Sequence, residues 1–345
     1  MNLLPVLTHQ KPFVSIVLAI RDEEKYIADT LQSILDQDYP FNNFEVLIAD
    51  GNSTDATLEI VKEIASGDPS VQIFSNPGEI VAKGLNILIR KAKGEVIVRA
   101  DGHTILEKDY VSKCVSTLFD HQAQNAGGRM DGVASTPFGE AVVRATSSRL
   151  GVGDSAFHYS TIVKEVDSVY LGAWPSDLFK VIGLFDEELV RNQDDEFNYR
   201  LRKYGGKIIL NPEIKSHYTV RSKPSSFWRQ YFQYGLWKIR VLQKHPRQMS
   251  IRHFIPATFV LGLIVCVLSI LFIPSLRFWC LGLVLVYLIS TLLTALKLSN
   301  WKVIQSFKVC FAYWCMHTAY GLGFIVGLFK FWDRSGDKKG QVPDF

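Results

Sequence analysis

The chain has 345 residues, 48% hydrophobic and 21% charged, with a formal net charge of +4. That length suits one large domain plus an appendage, because single hydrophobic cores stop growing at roughly 250 to 300 residues. The small charge excess gives no footing for nucleic acid, and five cysteines without a Cys-x-x-Cys spacing argue against a disulfide framework or a zinc site. No basic stretch followed by an apolar run opens the chain, so no signal peptide is evident and the soluble part is expected to stay cytoplasmic.

Val14 to Ile20 is a continuous, partly β-branched apolar run, the pattern of a strand covered on both faces. Arg21-Asp22-Glu23-Glu24 breaks it. Ile27, Leu31, Ile34 and Leu35 then recur at helical spacing up to the turn at Tyr39-Pro40. A second strand, Phe44 to Ala49, runs into Asp50-Gly51-Asn52-Ser53-Thr54-Asp55, where Asp55 is a candidate N-cap for a helix bearing Leu58, Val61 and Ile64. Val71 to Phe74 is a short third strand, Asn76-Pro77-Gly78 a turn, and Val81, Leu85, Leu88, Ile89 and Ala92 one helical face. A fourth strand follows in Val96-Ile97-Val98-Arg99-Ala100 and stops at Asp101-Gly102-His103. Strand and helix alternate four times, which predicts an α/β fold with a mostly parallel sheet and helices on both faces.

In such sheets ligands bind beyond the carboxyl ends of the strands, and Asp22, Asp50 and Asp101 stand at three such ends. Singly, each reads as a cap or turn former. Together they crowd like charge on one edge unless a cation or polar ligand sits there. Side chains alternate along an extended chain, so Asp101 and His103 point the same way. A carboxylate oxygen and an imidazole nitrogen suit Mn²⁺ or, less ideally, Mg²⁺. Asp50 is placed to accept hydrogen bonds from a nucleoside. Lys83 and Asn86 are candidates for approaching a diphosphate, the plainer alternative being a solvated helix face. No Gly-x-Gly-x-x-Gly or P-loop pattern follows any strand, which argues against a dinucleotide oxidoreductase and a P-loop NTPase.

Asp50-Gly51-Asn52-Ser53-Thr54-Asp55 resembles the nucleotide-binding loop of family 2 glycosyltransferases with the GT-A fold, and Ala100-Asp101-Gly102-His103 resembles their Asp-x-Asp metal motif in an Asp-x-His form. The likeness runs on through Gly183-Leu184-Phe185-Asp186-Glu187-Glu188 and Gln193-Asp194-Asp195-Glu196-Phe197-Asn198-Tyr199-Arg200-Leu201, and covers about residues 12 to 215. Within the family, the Asp-Gly-His variant and three apolar segments at the tail look most similar to membrane-bound bacterial enzymes of succinoglycan-type exopolysaccharide assembly. His103 replaces the usual second Asp, and Gln193 stands where many members have Glu.

The resemblance implies a Rossmann-like GT-A fold, a divalent cation (Mn²⁺ or Mg²⁺) at Asp101 and His103, and a nucleotide-diphosphate sugar as donor, a UDP-sugar being favoured. Donor contacts are expected from Asp22, Glu23, Asp50, Asn52, Ser53, Lys83, Asn86 and Asp101. Inverting transfer needs a carboxylate to take the proton of the acceptor hydroxyl, and the motif places that base at Asp194, with Asp195 the second candidate and an acceptor contact. The plainer reading of this pair is favourable charge near a helix N-terminus. On the same helix Glu196 and Arg200 form an i,i+4 pair. Val169-Tyr170-Leu171-Gly172-Ala173-Trp174 resembles the segment lining the acceptor pocket, where Trp174 either stacks on a sugar or fills the core.

Residues 121 to 160 are glycine-rich with little periodicity and read as mobile loops near the active site. From Ser225, Phe227, Trp228, Tyr231, Phe232, Tyr234 and Trp237 interleave with Arg229, Lys238, Arg240, Lys244, Arg247 and Arg252, the pattern of a helix lying in the headgroup layer. Residues 254–273, 278–296 and 309–329 contain no Asp, Glu, Lys or Arg, and each approaches the roughly 20 residues that span a bilayer. Three crossings conflict with basic residues both in the loop (Lys297, Lys302, Lys308) and in the tail (Lys330, Arg334, Lys338, Lys339), so the run 309–329, which carries His317, is expected to be re-entrant or packed on the other helices.

The expected organisation is a catalytic domain over 1–224, an amphipathic interfacial segment over 225–253, a membrane domain over 254–330 with two to three spans, and a polar tail over 331–345. Gln233-Tyr234-Gly235-Leu236-Trp237 resembles the Gln-x-x-Arg-Trp motif of processive synthases with Leu236 in place of Arg, which favours transfer of one sugar. The expected acceptor is a polyprenyl-linked saccharide at the cytoplasmic face of a bacterial inner membrane, with the chain multi-pass. The alternatives are a processive polysaccharide synthase and a catalytically silent nucleotide-binding membrane anchor.

Overall fold

In the computed structural model, which describes residues 4–248, 251–337 and 342–343, the chain divides into two units. One comprises residues 1–131, 155–219 and 340–345, the other 132–154 and 220–339. The segment 132–154 groups with the C-terminal helices.

The first unit opens with β1 (Val14–Ile20), α1 (Ile27–Leu35), β2 (Phe44–Asp50), α2 (Thr57–Gly67), β3 (Val71–Ser75), α3 (Val81–Lys91) and β4 (Val96–Ala100). Next come β5 (Thr104–Leu106), α4 (Tyr110–His121) and β6 (Asn125–Val133), whose last residues lead into α5 (Pro137–Thr146) and α6 (Arg149–Val152) of the second unit. The chain then returns through β7 (Lys164–Glu165), β8 (Tyr170–Pro175), α7 (Leu178–Ile182), α8 (Gln193–Lys203) and β9 (Ile208–Thr219).

The strands form one sheet in the order β3-β2-β1-β4-β8-β6-β9-β5, with β7 paired to β9. β1 to β4 are parallel, in a register that sets Val14 beside both Phe44 and Val96. Beyond β4 the pairing turns antiparallel, so the mostly parallel sheet expected from the sequence holds for its first four strands and the whole is mixed. Helices α4, α5–α6 and α7–α8 also separate the later strands, so alternation with helices does not by itself fix the direction of pairing. All seven residues of β2 are buried, because both sheet faces are covered. Ile16, Leu18, Val46 and Ile48 face a core shared with Leu31 of α1 and Leu118 of α4, while Val17, Leu47 and Ile97 face one shared with Leu88 of α3 and Phe197 of α8.

Two local expectations shift. Asp55 does not occupy the cap position of α2, but its carboxylate accepts from the Thr57 N–H at 3.0 Å and so satisfies the helix start from one residue earlier. Residues 121–160 are not mainly loop. Gly128 lets β6 approach β9 so closely that a Cβ there would sit 1.7 Å from the Ile214 carbonyl oxygen, and α5 starts with Pro137 at its first turn and the Thr136 hydroxyl capping the Gly139 N–H.

The second unit adds α9 (Pro224–Lys244), α10 (Ile251–Phe272), α11 (Arg277–Leu298) and α12 (Val303–Lys330). α9 lies along α12 at a distance only glycine permits: a Cβ at Gly323 would meet the Phe232 carbonyl oxygen at 2.0 Å, and one at Gly235 the Tyr320 carbonyl oxygen at 2.1 Å. Lys238, Arg240 and Lys244 are buried in α9 rather than displayed on a polar face. The Arg240 guanidinium donates to the Arg334 and Asp337 carbonyls and to the Asp337 carboxylate at 3.1 Å. Trp237 of the synthase-like pentapeptide donates its indole N–H to the Gln233 amide oxygen at 3.1 Å, and the Leu236 carbonyl oxygen lies where a Cβ on Gly327 would meet it at 2.7 Å.

α11 and α12 are long and apolar enough to cross a membrane; the apolar stretch of α10 over His253–Ser269 is shorter. The run 309–329 is one continuous helix rather than a re-entrant pair, with His317 bonded to the Tyr287 hydroxyl at 3.1 Å. Lys338, Lys339 and the side chain of Arg252 lie outside the described residues.

Candidate functional site

The carboxyl ends of β2, β1 and β4 are neighbours in the sheet, which brings Asp50, Asp22 and Asp101 to one edge, at the point where the strand order reverses. The loops after β1 and β2 are laced together by their own polar groups. Asp22 Oδ1 accepts from the Thr54 N–H at 2.8 Å, and the Asp22 N–H donates to the Ser53 hydroxyl at 3.1 Å. Buried Asp50 accepts from the Ser53 hydroxyl at 2.5 Å and from its N–H at 3.2 Å. Asn52 donates to Glu79 at 3.2 Å, and Glu79 also pairs with Arg21. Asp22 and Asn52 have φ of 54° and 55°, in the left-handed region where short polar side chains hydrogen-bond locally. Lys83 is half-buried beneath the 76–79 turn, its stem filling the space a Cβ on Gly78 would need.

Arg99 and Asp101 are two residues apart on an extended segment and share a side. The Arg99 Nε and Nη2 groups both donate to Asp101 Oδ1, at 3.0 and 2.9 Å, leaving Oδ2 without a partner among the described residues. Burial works against the Arg99 charge, but Asp101 and Asp194 outweigh it and hold the guanidinium pKa above its ordinary value. His103 sits with Nδ1 2.8 Å from Glu23 Oε1 and its ring 5.2 Å from that of Tyr218. A proton on Nδ1 satisfies that contact and turns the Nε2 lone pair outward, the orientation a carboxylate imposes on a metal-binding imidazole. Among the described residues no three His, Cys, Asp or Glu side chains form a cage. Asp101 and His103 supply a carboxylate and an imidazole at this edge, donor types that suit a divalent cation completed by substrate oxygens and water.

α8 begins at Gln193, after Asn192 at φ 64°, and so presents Asp194 in its first turn. Asp194 Oδ1 accepts from the Asp195 N–H at 2.9 Å. Part of the Asp194 surface stays open, yet the carboxyl is enclosed by protein. Burial raises its pKa most, Arg99 pulls it down, and Asp195 and Asp101 push it up again, for a net rise. The helix is anchored from behind, where Glu196 and Arg200 are buried and paired at 2.6 and 3.0 Å, with Arg200 also donating to the Ile182 and Leu184 carbonyls. The i,i+4 pair expected from the spacing is present, and its burial makes it a core anchor.

Two expected site residues are placed elsewhere. Trp174 is 2% exposed and packs edge-on against Phe179, Phe185 and Phe197, so no face is open to a sugar. Asn86 is 2% exposed and bonded to the Phe185 carbonyl (2.9 Å), the Phe185 N–H (2.9 Å) and Glu187 (3.0 Å), which makes it a brace for the turn before α8. Conversely, Arg99 and Tyr218 stand at this edge with no sequence pattern that singles them out. Leu171 and Gly172 adopt φ of 60° and 109° at a bulge in β8. Beside it the Tyr170 hydroxyl meets the Thr104 hydroxyl at 2.9 Å, and burial keeps this phenol well above its usual pKa.

Residues 15–152 match the family model described as glycosyl transferase family 2. The chain is 30% identical over 240 residues to the dolichyl N-acetyl-α-D-glucosaminyl phosphate 3-β-D-2,3-diacetamido-2,3-dideoxy-β-D-glucuronosyltransferase of Methanococcus voltae, covering 67% of this chain and 74% of that one. It is 27% identical over 275 residues to the succinoglycan biosynthesis protein ExoA of Rhizobium meliloti, covering 77% and 83%. Among solved structures, the mannosyltransferase PcManGT of Pyrobaculum calidifontis, in complex with GDP-Man and Mn²⁺, superposes with a TM-score of 0.61 at 18% identity, covering 95% of this chain and 91% of that one, and so shares the fold. With a GT-A-type sheet and these relatives, the chain belongs to glycosyl transferase family 2 and is a glycosyltransferase.

Proposed function

We propose that the protein transfers one sugar, with inversion, from a nucleotide-diphosphate sugar to a hydroxyl of a lipid-linked acceptor. The observation that carries this reading is the coupling of Asp194, a carboxyl with a raised pKa, to Asp101 through Arg99. It joins a proton acceptor to the edge where a diphosphate would be held.

Asp194 takes the proton of the acceptor hydroxyl, whose oxygen attacks the anomeric carbon from the side opposite the diphosphate. The carbon–oxygen bond to the diphosphate breaks, and the nucleoside diphosphate leaves. A raised pKa brings the base nearer the operating pH, and a positioned base contributes roughly 10² to 10⁴-fold. Asp101 and His103 would hold a divalent cation, Mn²⁺ or Mg²⁺, which neutralises charge on the leaving diphosphate. Glu23 orients His103, Arg99 fixes the Asp101 carboxylate, and the laced loops of Asp22, Asp50, Asn52 and Ser53 form the nucleoside side of the pocket. Lys83 stands at the rim of those loops, and Asp195 flanks the acceptor side.

A UDP-sugar is the favoured donor. The name of the Methanococcus relative specifies a dolichyl-phosphate-linked sugar, and that of the Rhizobium relative succinoglycan biosynthesis, which supports a polyprenyl-linked saccharide as acceptor. The apolar C-terminal helices support a multi-pass position in a bacterial inner membrane, with the catalytic unit in the cytoplasm and α9 near the headgroups. The test is to incubate the full chain in native membranes with UDP- and GDP-sugars, Mn²⁺ or Mg²⁺, and polyprenyl-diphosphate saccharides. The expected result is one glycosidic bond per nucleotide released, with inverted anomeric configuration; retained configuration, or a ladder of products, would refute this reading.

A further inference from the structure

We propose that α10 and α11 cross the bilayer as a hairpin and that α12 does not, so that the chain crosses twice and its tail returns to the side of the catalytic unit. This rests on the membrane reading above and goes beyond it in naming the helices that face lipid.

The parity comes from the tail. The Leu184 N–H donates to the Pro343 carbonyl at 3.1 Å, and Val342 lies against Gly183, where a Cβ would meet its Cγ1 at 2.8 Å. Residues 342–343 are thus part of the catalytic unit, as is the chain before α9. A polypeptide that leaves a folded unit and rejoins it crosses a membrane an even number of times. Of three apolar helices, one stays out.

The packing of α12 identifies it as that helix, although its composition alone would let it cross. On one side lies α9, with Lys238, Arg240 and Lys244 buried in it; were α12 to span hydrocarbon, those charges would go with it, where ionised side chains are costly. On another side lies the polar 132–154 segment. Gln305 bonds Glu140 at 3.3 Å, Tyr313 bonds the Ser148 hydroxyl at 2.6 Å, and His317 reaches the Leu150 carbonyl at 3.0 Å. The first half of α12 is therefore bonded to a loop and two short helices that carry Glu140, Arg144 and Arg149. Irregular polar backbone does not persist against lipid.

The hairpin is the opposite case. α11 has 22 residues, about 33 Å at 1.5 Å per residue, close to the roughly 30 Å hydrocarbon thickness, and the apolar stretch of α10 over His253–Ser269, about 26 Å, is at the short end of the spanning range. Ile264, Val265 and Leu268 on α10 and Leu281, Leu285 and Leu288 on α11 are all exposed. Basic and aromatic residues mark its two ends: Arg247, Lys297, Trp301 and Lys302 at the base, Arg277 and Trp279 at the tip. At the base Arg144 donates to the Leu298 carbonyl at 2.6 Å, capping the end of α11 with a charge that belongs outside the hydrocarbon.

Four variants of the full chain, each adding one cysteine to the native five, test this: Ser66→Cys on the catalytic unit, Ser275→Cys at the hairpin tip, Lys302→Cys between α11 and α12, and Ser335→Cys after α12. Each is treated with a membrane-impermeant maleimide in inside-out and right-side-out vesicles, with the unsubstituted protein as blank and Trp301→Cys as a second probe of the Lys302 loop. The expected result is that Ser66, Lys302 and Ser335 positions react from one face and the Ser275 position from the other. Reaction of the Lys302 loop from the tip's face would show that α12 crosses, and reaction of the Ser335 position opposite the Ser66 position would show an odd count. A tip that reacts on the Ser66 face would show that the hairpin does not cross; each of these outcomes overturns the proposal. Release of the protein by alkaline carbonate, with every position reactive in solution, would instead refute the membrane reading on which it rests.

Discussion

Replacing Arg99 by methionine removes the charge that acts on both Asp101, the proposed metal ligand, and Asp194, the proposed base. Arg99 makes two hydrogen bonds to Asp101, and the side chains are 8% and 21% exposed. Charge-assisted bonds contribute about 1.5–3 kcal/mol, and removing one partner of a buried pair costs about 3–5 kcal/mol. The partial exposure of Asp101 favours the lower end, about 3 kcal/mol. At about 2–4 °C per kcal/mol for a unit of this size, Tm should fall by about 6–12 °C. The pH profile moves as well. Asp194 must be ionised to accept a proton, so kcat/KM falls as pH drops through its pKa. Burial, Asp195 and Asp101 all raise that pKa and Arg99 lowers it, so in Arg99→Met the acidic limb moves to higher pH. Arg99→Lys keeps the charge without the fork and should restore the limb while recovering only part of the Tm. Thermal unfolding in detergent and nucleotide release across pH measure the two effects. A limb that stays in place, or moves to lower pH, would refute the electrostatic coupling.

Glu23→Ala should weaken divalent-cation activation about 10- to 100-fold, since it frees the His103 ring, with little change once metal is saturating. A metal titration with an unmoved midpoint contradicts that role. Asn86→Ala should cost about 2–3 kcal/mol of stability by orphaning Phe185 backbone groups while leaving donor affinity within about twofold. A tenfold loss of donor affinity at unchanged stability would return Asn86 to the diphosphate.

The parallel half of the sheet was legible because its strands are short continuous apolar runs separated by helices of clear period, and the acidic edge followed once β2, β1 and β4 were taken as neighbours. The antiparallel half was not. Gly127, Gly128 and Gly132 blur the pattern of β6, and close approach to β9 is a reason for glycine that a lone sequence does not reveal. The motif marks Asp194, but its raised pKa comes from burial, Asp195 and Asp101, opposed by Arg99 95 positions earlier, groups that only the fold brings together. Trp174 and Asn86 show the same limit, since an aromatic or amide reads alike in a pocket and in a core until its partners are known. The charges of α9 misled most: Arg240 bonds Asp337, 97 residues later, and a basic helix with a distant buried partner looks in sequence like a surface one.

The most direct test of the account is Asp194→Asn, which keeps an oxygen to accept the Asp195 N–H and removes only the basicity. Donor binding by calorimetry and transfer to a lipid-linked acceptor are measured on the same preparation. The account predicts nucleotide-sugar affinity within about twofold of the native protein and kcat lower by roughly 10² to 10⁴-fold, equivalent to about 2.7–5.5 kcal/mol of transition-state stabilisation. Transfer within tenfold of native, with donor binding intact, would contradict it and move the base elsewhere.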